Sequence, residues 1–290
     1  MDKKNKFPFF IIISLLVILI AVLFLHGSES VAVLHPKGWV GVQERNLILK
    51  TSFIMLLIVI PVVILTIYFG WKYRDGNPKA EYQPEWDNSH RLEALWWGVP
   101  CVVVIVFAVW TWTSSHELDP YKPLKSDVKP VRIQVIALDW KWLFIYPEER
   151  IATVNFIQFP ENTPLNFEIT SDAPMNSFWI PELGGQIYAM AGMRTKLHLI
   201  ANHIGSYRGV SANISGEGFA GMTFAAKAST QEEFDAWIQE VRGAGQPLNQ
   251  QVYSELMKQS SYNPVAYYVL GDDALFDQVI MKYMTPMDKR

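Results

Sequence analysis

Three long stretches of the chain carry no charge, and beyond residue 130 the pattern shortens to alternation. Phe7 to Leu25 is 19 residues without a charged side chain, Thr51 to Trp71 is 21, and Ala94 to Ser115 is 22. At about 1.5 Å per residue, roughly 20 apolar residues cross the ~30 Å hydrocarbon layer of a bilayer. The second and third stretches therefore predict transmembrane helices over 45–73 and 92–115. Tyr68, Trp71, Trp96, Trp97, Trp110 and Trp112 gather toward their ends, as aromatic side chains do at a membrane interface. Pro61 and Pro100 fall inside them, which lipid-embedded helices tolerate better than soluble ones.

The first stretch reads two ways. Lys3, Lys4 and Lys6 precede it and Gly27 and Ser28 follow, so residues 1–28 form a signal peptide or an N-terminal anchor. Both readings leave the lysines in the cytoplasm. Crossing out, back and out again makes 74–91 a cytoplasmic loop and puts everything after Ser115 outside the cytoplasm.

Residues 116–130 hold Pro120, Pro123 and Pro130 among charges, the composition of an extended linker. From Val131 the runs are short and of period two: Val131, Val135 and Ala137 against Arg132 and Gln134, then Leu165, Phe167 and Ile169 against Asn166 and Glu168. Further runs lie at Ser177–Ile180, Lys196–Ile200, Ser206–Ser211 and Met222–Ala226, with turn residues between them. Such spacing predicts an all-β sandwich or barrel over 131–228. Thr230 with Glu233 makes a capping box, and Phe234, Trp237, Ile238 and Val241 share one helical face. The region 229–290 is thus expected to be helical, with weaker segments at Gln250–Met257 and Ala274–Met284.

Composition agrees with a chain partly in membrane and partly in water: 50% hydrophobic and 18% charged residues, with a mean hydropathy of +0.10. A net charge of −3 offers no basic footprint for nucleic acid. The single cysteine, Cys101, excludes an internal disulfide and, in its apolar context, is expected to be buried.

Several stretches carry a resemblance. Asp139-Trp140-Lys141-Trp142, Met175-Asn176-Ser177-Phe178-Trp179-Ile180-Pro181 and Gln186-Ile187-Tyr188-Ala189-Met190-Ala191-Gly192 resemble subunit II of the haem-copper terminal oxidases. So do His35-Pro36-Lys37-Gly38 and Trp71-Lys72-Tyr73-Arg74, and the details are most similar to the bo-type ubiquinol oxidase branch. The resemblance implies that the β-domain is cupredoxin-like. In the cytochrome c oxidases of this family the domain holds a dinuclear copper centre. The matching positions here are Asn176 for the early His, Ser211 and Ser215 for the two Cys, Asn213 for Glu, Phe219 for the second His and Met222 for Met. A hydroxyl cannot replace a soft bridging thiolate, and phenylalanine has no lone pair to offer. These six positions are therefore expected to mark a vacated copper site, with no metal and no catalytic residue in this chain. Ordinary loop polarity accounts for the side chains that remain there. His198 reads as a strand residue and His203 as a turn residue, and Trp140 and Trp142 as packing groups.

The implied machine is a proton-pumping ubiquinol oxidase of the bacterial inner membrane, with this chain's C-terminal domain in the periplasm. Haem b, haem o and a single copper belong by resemblance to subunit I. The partners are subunit I, subunits III and IV, and membrane lipid, with no role for cytochrome c. Glu93, at the cytoplasmic start of the second span, matches a glutamate at the entrance of a proton channel. The favourable charge at a helix start is its alternative explanation. An aa-type menaquinol oxidase subunit is the nearest rival reading, and a membrane-anchored binding module is a more distant one.

Overall fold

The computed structural model describes residues 31–81, 85 and 88–284. The first uncharged stretch, with its signal or anchor, lies outside the described residues. The chain divides into a helical unit, Asn46–Asp119, and a second unit made of Pro120–Arg290 with Arg45 and the residues before it.

Two long helices account for most of the helical unit: α1 (Trp39–Lys72), which begins in the other unit, and α2 (His90–Glu117). Their most apolar windows have no polar face, and no residue in them is buried within the chain. Ile67 is 65% exposed and Val104 65%. A helix with no polar face belongs in a hydrophobic surround, and these two are long enough to supply the spans. Their few hydroxyls are satisfied inside their own helices: Thr66 Oγ1 donates to Val62 O at 2.7 Å and Thr113 Oγ1 to Val109 O at 3.0 Å. Cys101, expected to be buried, is exposed within this chain, because α2 presents it on a face that no described residue covers.

The second unit is a two-sheet sandwich. Its strands are β1 (Val131–Leu138), β2 (Lys141–Tyr146), β3 (Ile151–Val154), β4 (Phe156–Pro160), β5 (Leu165–Ser171), β6 (Asn176–Trp179), β7 (Ile187–Ala189), β8 (Thr195–Leu199), β9 (Gly205–Ser211) and β10 (Thr223–Ser229). The expected helix follows as α3 (Gln231–Ala244), with Thr230 accepting from the Glu233 amide. Then come β11 (Gln246–Leu248), α4 (Gln250–Leu256), β12 (Ala266–Leu270) and α5 (Leu275–Met284). The seven-stranded sheet runs β11-β12-β3-β2-β1-β5-β8 and the five-stranded sheet β4-β10-β9-β6-β7. Asn155 makes the corner between them in the left-handed region (φ 56°), which asparagine tolerates better than most residues. Its side chain accepts from the Trp142 amide at 2.9 Å and donates to Asn263 O at 3.0 Å.

The seven-stranded sheet is buried on its inner face and, over β2, β3 and the end of β1, on its outer face as well. Its inner face meets the other sheet through Trp142, Phe144, Phe167, Phe178 and Phe224. Its outer face, with Ile136, Leu138, Leu143 and Ile145, is covered by Leu248, Tyr253, Phe276, Val279 and Ile280 of the C-terminal region. The helices expected after residue 229 are present, but the region also contributes strands. β12 pairs antiparallel with β3, and β11 pairs parallel with β12. Burial on both sides explains β2, Lys-Trp-Leu-Phe-Ile-Tyr, which shows no alternation because neither face meets water.

Candidate functional site

The six positions singled out by resemblance come from the start of β6, the end of β9 and the connection leading to β10. β6 and β9 pair antiparallel with Phe178 opposite Ser211, which brings Asn176 beside the end of β9. Asn176 is 1% exposed and Ser211 5%. Ser211 Oγ donates to Asn176 Oδ1 at 3.0 Å, and Asn176 Nδ2 donates to Pro174 O at 2.7 Å. Asn213 Nδ2 donates to Met175 O at 2.8 Å. The backbone follows the same plan: Ala212 N donates to Ser177 O at 3.0 Å and Ser211 N to Met222 O at 3.1 Å. Phe219 opens a single 3-10 turn, Phe219–Gly221, which delivers the buried Met222 into β10.

Trp140 roofs this loop. It occupies the two-residue turn between β1 and β2 at φ 58°, a left-handed conformation that costs a bulky residue free energy. Its indole Nε1 donates to Ser215 O at 3.1 Å. Gly218 makes room for the ring, since a Cβ there would lie 2.2 Å from it. Gly216, at φ +112°, supplies the turn below. Trp140 therefore packs, as expected, and it also clamps the loop. Trp142 sits in the aromatic core, edge-on to Phe178 at 5.4 Å. The Gly216-x-Gly218 spacing is the sequence signal that could have linked the loop to a flat aromatic partner.

The donors assembled here are two amides, hydroxyls and one thioether. Asn176, Ser211 and Asn213 are hydrogen-bonded to one another or to backbone. Ser215 Oγ is buried without a hydrogen-bond partner among the described residues. With no thiolate and no imidazole among them, these groups do not fit a dinuclear copper centre. His198 is a β8 residue whose Nδ1 lies 2.8 Å from Pro120 O, which fastens the linker to the sheet. His203 accepts the Tyr207 hydroxyl through its backbone carbonyl in the turn before β9.

Behind the loop lies a cluster that sequence reasoning missed. Asp172, two residues before Pro174, has a fully buried side chain. It accepts from Tyr253 Oη at 2.8 Å, Tyr283 Oη at 2.6 Å and Lys282 Nζ at 2.6 Å. Burial, and then the Asp172 charge, push the Tyr253 phenol far above its ordinary value. The ammonium of Lys141, 2% exposed, donates to Leu256 O at 2.9 Å and Lys258 O at 2.7 Å, while burial draws it below the usual lysine range. The C-terminal region is thus fastened at two buried charges, one of them on the segment that leads to Asn176. Partners more than 80 residues apart left no local sequence signal.

Glu93 is in the helical unit, in the first turn of α2. Its side chain is 53% exposed, and its carboxylate lies 3.6 Å from His90 Nδ1.

Comparison with known proteins adds four findings. A family model described as the COX Aromatic Rich Motif matches residues 242–287, a range that includes Leu248, Tyr253, Phe276, Val279 and Ile280 on the outer face of the seven-stranded sheet. The chain is 56% identical to cytochrome bo(3) ubiquinol oxidase subunit 2 of Pseudomonas putida over 86% of its own length and 80% of the relative's. It is 50% identical to the protein of the same description from Pseudomonas aeruginosa, over 98% and 84%. Among solved structures, the periplasmic domain of cytochrome oxidase subunit II from Bradyrhizobium japonicum covers 42% of the chain and 98% of itself, at 20% identity and a TM-score of 0.40.

Proposed function

The chain belongs to the family of subunit 2 of the bo(3)-type ubiquinol oxidases, and from that membership we propose that it is the non-redox second subunit of a proton-pumping ubiquinol:oxygen oxidoreductase. The observation that carries the non-redox reading is the Ser211–Asn176 hydrogen bond at 3.0 Å. It joins side chains at two positions where the copper-bearing branch has ligands, and it satisfies them against each other. Neither side chain changes oxidation state, so electrons have no station in this domain.

In this reading ubiquinol delivers its electrons within the membrane to haem b, haem o and copper in subunit I. α1 and α2 pack in the bilayer against that subunit, and the sandwich caps the outer face of the complex in the periplasm. Subunits III and IV complete the assembly in the inner membrane.

Glu93 takes the role of a proton-collecting carboxylate at the cytoplasmic water boundary. Its exposure and its place in the first turn of α2 support that role, because they leave the carboxylate within reach of water. Glu93→Gln is expected to slow proton pumping in the assembled complex, and unchanged turnover and pumping would remove Glu93 from the path.

The deciding experiment is oxygen uptake by the complex purified through a tag on this chain, with ubiquinol and with reduced cytochrome c as alternative donors. Uptake with ubiquinol alone is expected. Uptake with cytochrome c would overturn the reading, since it requires an electron entry that these residues do not provide.

A further inference from the structure

A second group that exchanges protons with water stands in the first turn of α2, beside Glu93. His90 is the first residue of that helix and Glu93 the fourth. Residues three apart on a helix share a face, with about 5–6 Å between their Cβ atoms. The pairing therefore follows from the helix itself and needs no distant element to bring it about. His90 Nδ1 lies 3.6 Å from Glu93 Oε2. That is longer than a hydrogen bond, and an approach of roughly 0.5 Å by two side chains with free ends would make one.

Neither group is committed elsewhere. Among the described residues, His90 and Glu93 have this contact with each other and no further ion pair or side-chain hydrogen bond. Ser89, at the N-cap, does not bond the helix through its side chain. The other charge in this turn, Arg91, is set about 100° round the helix from His90. Glu85, ahead of the helix, is exposed. The His90 side chain is 89% exposed, against 53% for Glu93. Pairs this open add little to stability. Their exposure instead puts the imidazole outermost, in water, with the carboxylate one contact behind it.

We propose that His90 is the proton relay that loads Glu93 from water, an inference that rests on the reading of Glu93 as the collecting carboxylate. The step balances as proton transfer alone. A neutral imidazole with its proton on Nδ1 takes a second proton from water or buffer at Nε2. The imidazolium gives its Nδ1 proton to the Glu93 carboxylate, which becomes a carboxylic acid. The imidazole is left neutral with its proton on Nε2, and rotation of the exposed ring, or exchange through water, restores the starting state. Imidazole suits this task because it is the side chain that takes up and releases protons between about pH 5 and 8, where an ordinary carboxyl is almost always ionised. When buffer is scarce, an imidazole next to the carboxylate keeps a proton within reach of it.

The test uses the assembled complex, with oxygen uptake and dye-monitored proton uptake measured on ubiquinol in dilute buffer, where proton supply limits the rate. His90→Gln keeps a polar side chain that cannot relay a proton at neutral pH. It is expected to slow both rates several-fold, and millimolar imidazole at the same pH and ionic strength is expected to restore them. Wild type should be indifferent to added imidazole. Such rescue is a response that a purely structural role of His90 would not give. Glu93→Gln is expected to be slow with or without imidazole, and the doubly substituted H90Q/E93Q complex no slower than Glu93→Gln alone. A His90→Gln complex as fast as wild type overturns the proposal, and so does one that stays slow in imidazole. A double variant slowed by the product of the two single effects overturns it too, because His90 would then act apart from Glu93. The two readings fail separately. Normal rates in Glu93→Gln remove Glu93 from the path and the relay with it, whereas a slow Glu93→Gln beside a normal His90→Gln removes the relay alone.

Discussion

Two parts of this chain lack polar alternation, and they use that pattern in opposite settings. The runs in α1 and α2 are uncovered within the chain, whereas the six residues of β2 are all buried. Length separates them. Twenty apolar residues can be fully paired only as a helix in lipid, where every backbone group must bond internally. Six make a strand whose neighbours supply the hydrogen bonds, provided that other layers cover both faces. The apolar surface of the spans is left open by the described residues, and that of β2 is closed by the other sheet on one side and the C-terminal region on the other.

The sharpest way to break this contrast is truncation in each setting. Phe144→Ala in β2, with a fully buried side chain, is expected to cost about 3–5 kcal/mol in denaturant unfolding followed by tryptophan fluorescence. Val104→Ala in α2 should leave that unfolding transition unmoved. A charge reverses the sensitivity at the same span position. Val104→Arg is expected to oppose membrane insertion by about 2.5–3.5 kcal/mol, visible as a larger fraction of the chain released by alkaline extraction. A smaller effect is expected at the loop. Ser211→Ala deprives the buried Asn176 Oδ1 of its donor, at roughly 1–3 kcal/mol in the same unfolding assay.

The smallest expected effect is one of pH. Burial alone would raise the Glu168 carboxyl, but the hydrogen bond and charge of Arg132, with the charge of Arg194, outweigh it and hold the group below its ordinary 4.5. A carboxyl whose folded value is depressed adds stability above its unfolded value and loses it as pH falls through the folded one. Stability should therefore decline below about pH 4.5, and Glu168→Gln should flatten that part of the melting-temperature profile. Exposed carboxylates elsewhere set the remaining slope.

The sequence made some of this visible and hid the rest for physical reasons. β1 and β5 stood out because polar residues interrupt them, and α3 because its cap and its face are local features. β2, β11 and β12 did not, since a strand buried on both faces or completed by a distant partner carries no period of its own. The same division holds at the site. Family spacing located Asn176, Ser211 and Met222, while Asp172 and Lys141 depend on partners from the far end of the chain. Trp140 was legible as a packing residue, but its strained turn and its hold on Ser215 are properties of the folded chain.

The pairing of β12 with β3 also has a meaning in time. Ala266 lies opposite Val154, so synthesis must continue for about a hundred residues before β3 gains its second neighbour. At the usual 5–20 residues per second, the interval is on the order of ten seconds. Throughout it the sheet has an open edge and a bare apolar outer face, the combination that recruits foreign strands. The newborn domain is at its most vulnerable just before its last fifth emerges, with β3 unpaired along that edge until β12 arrives.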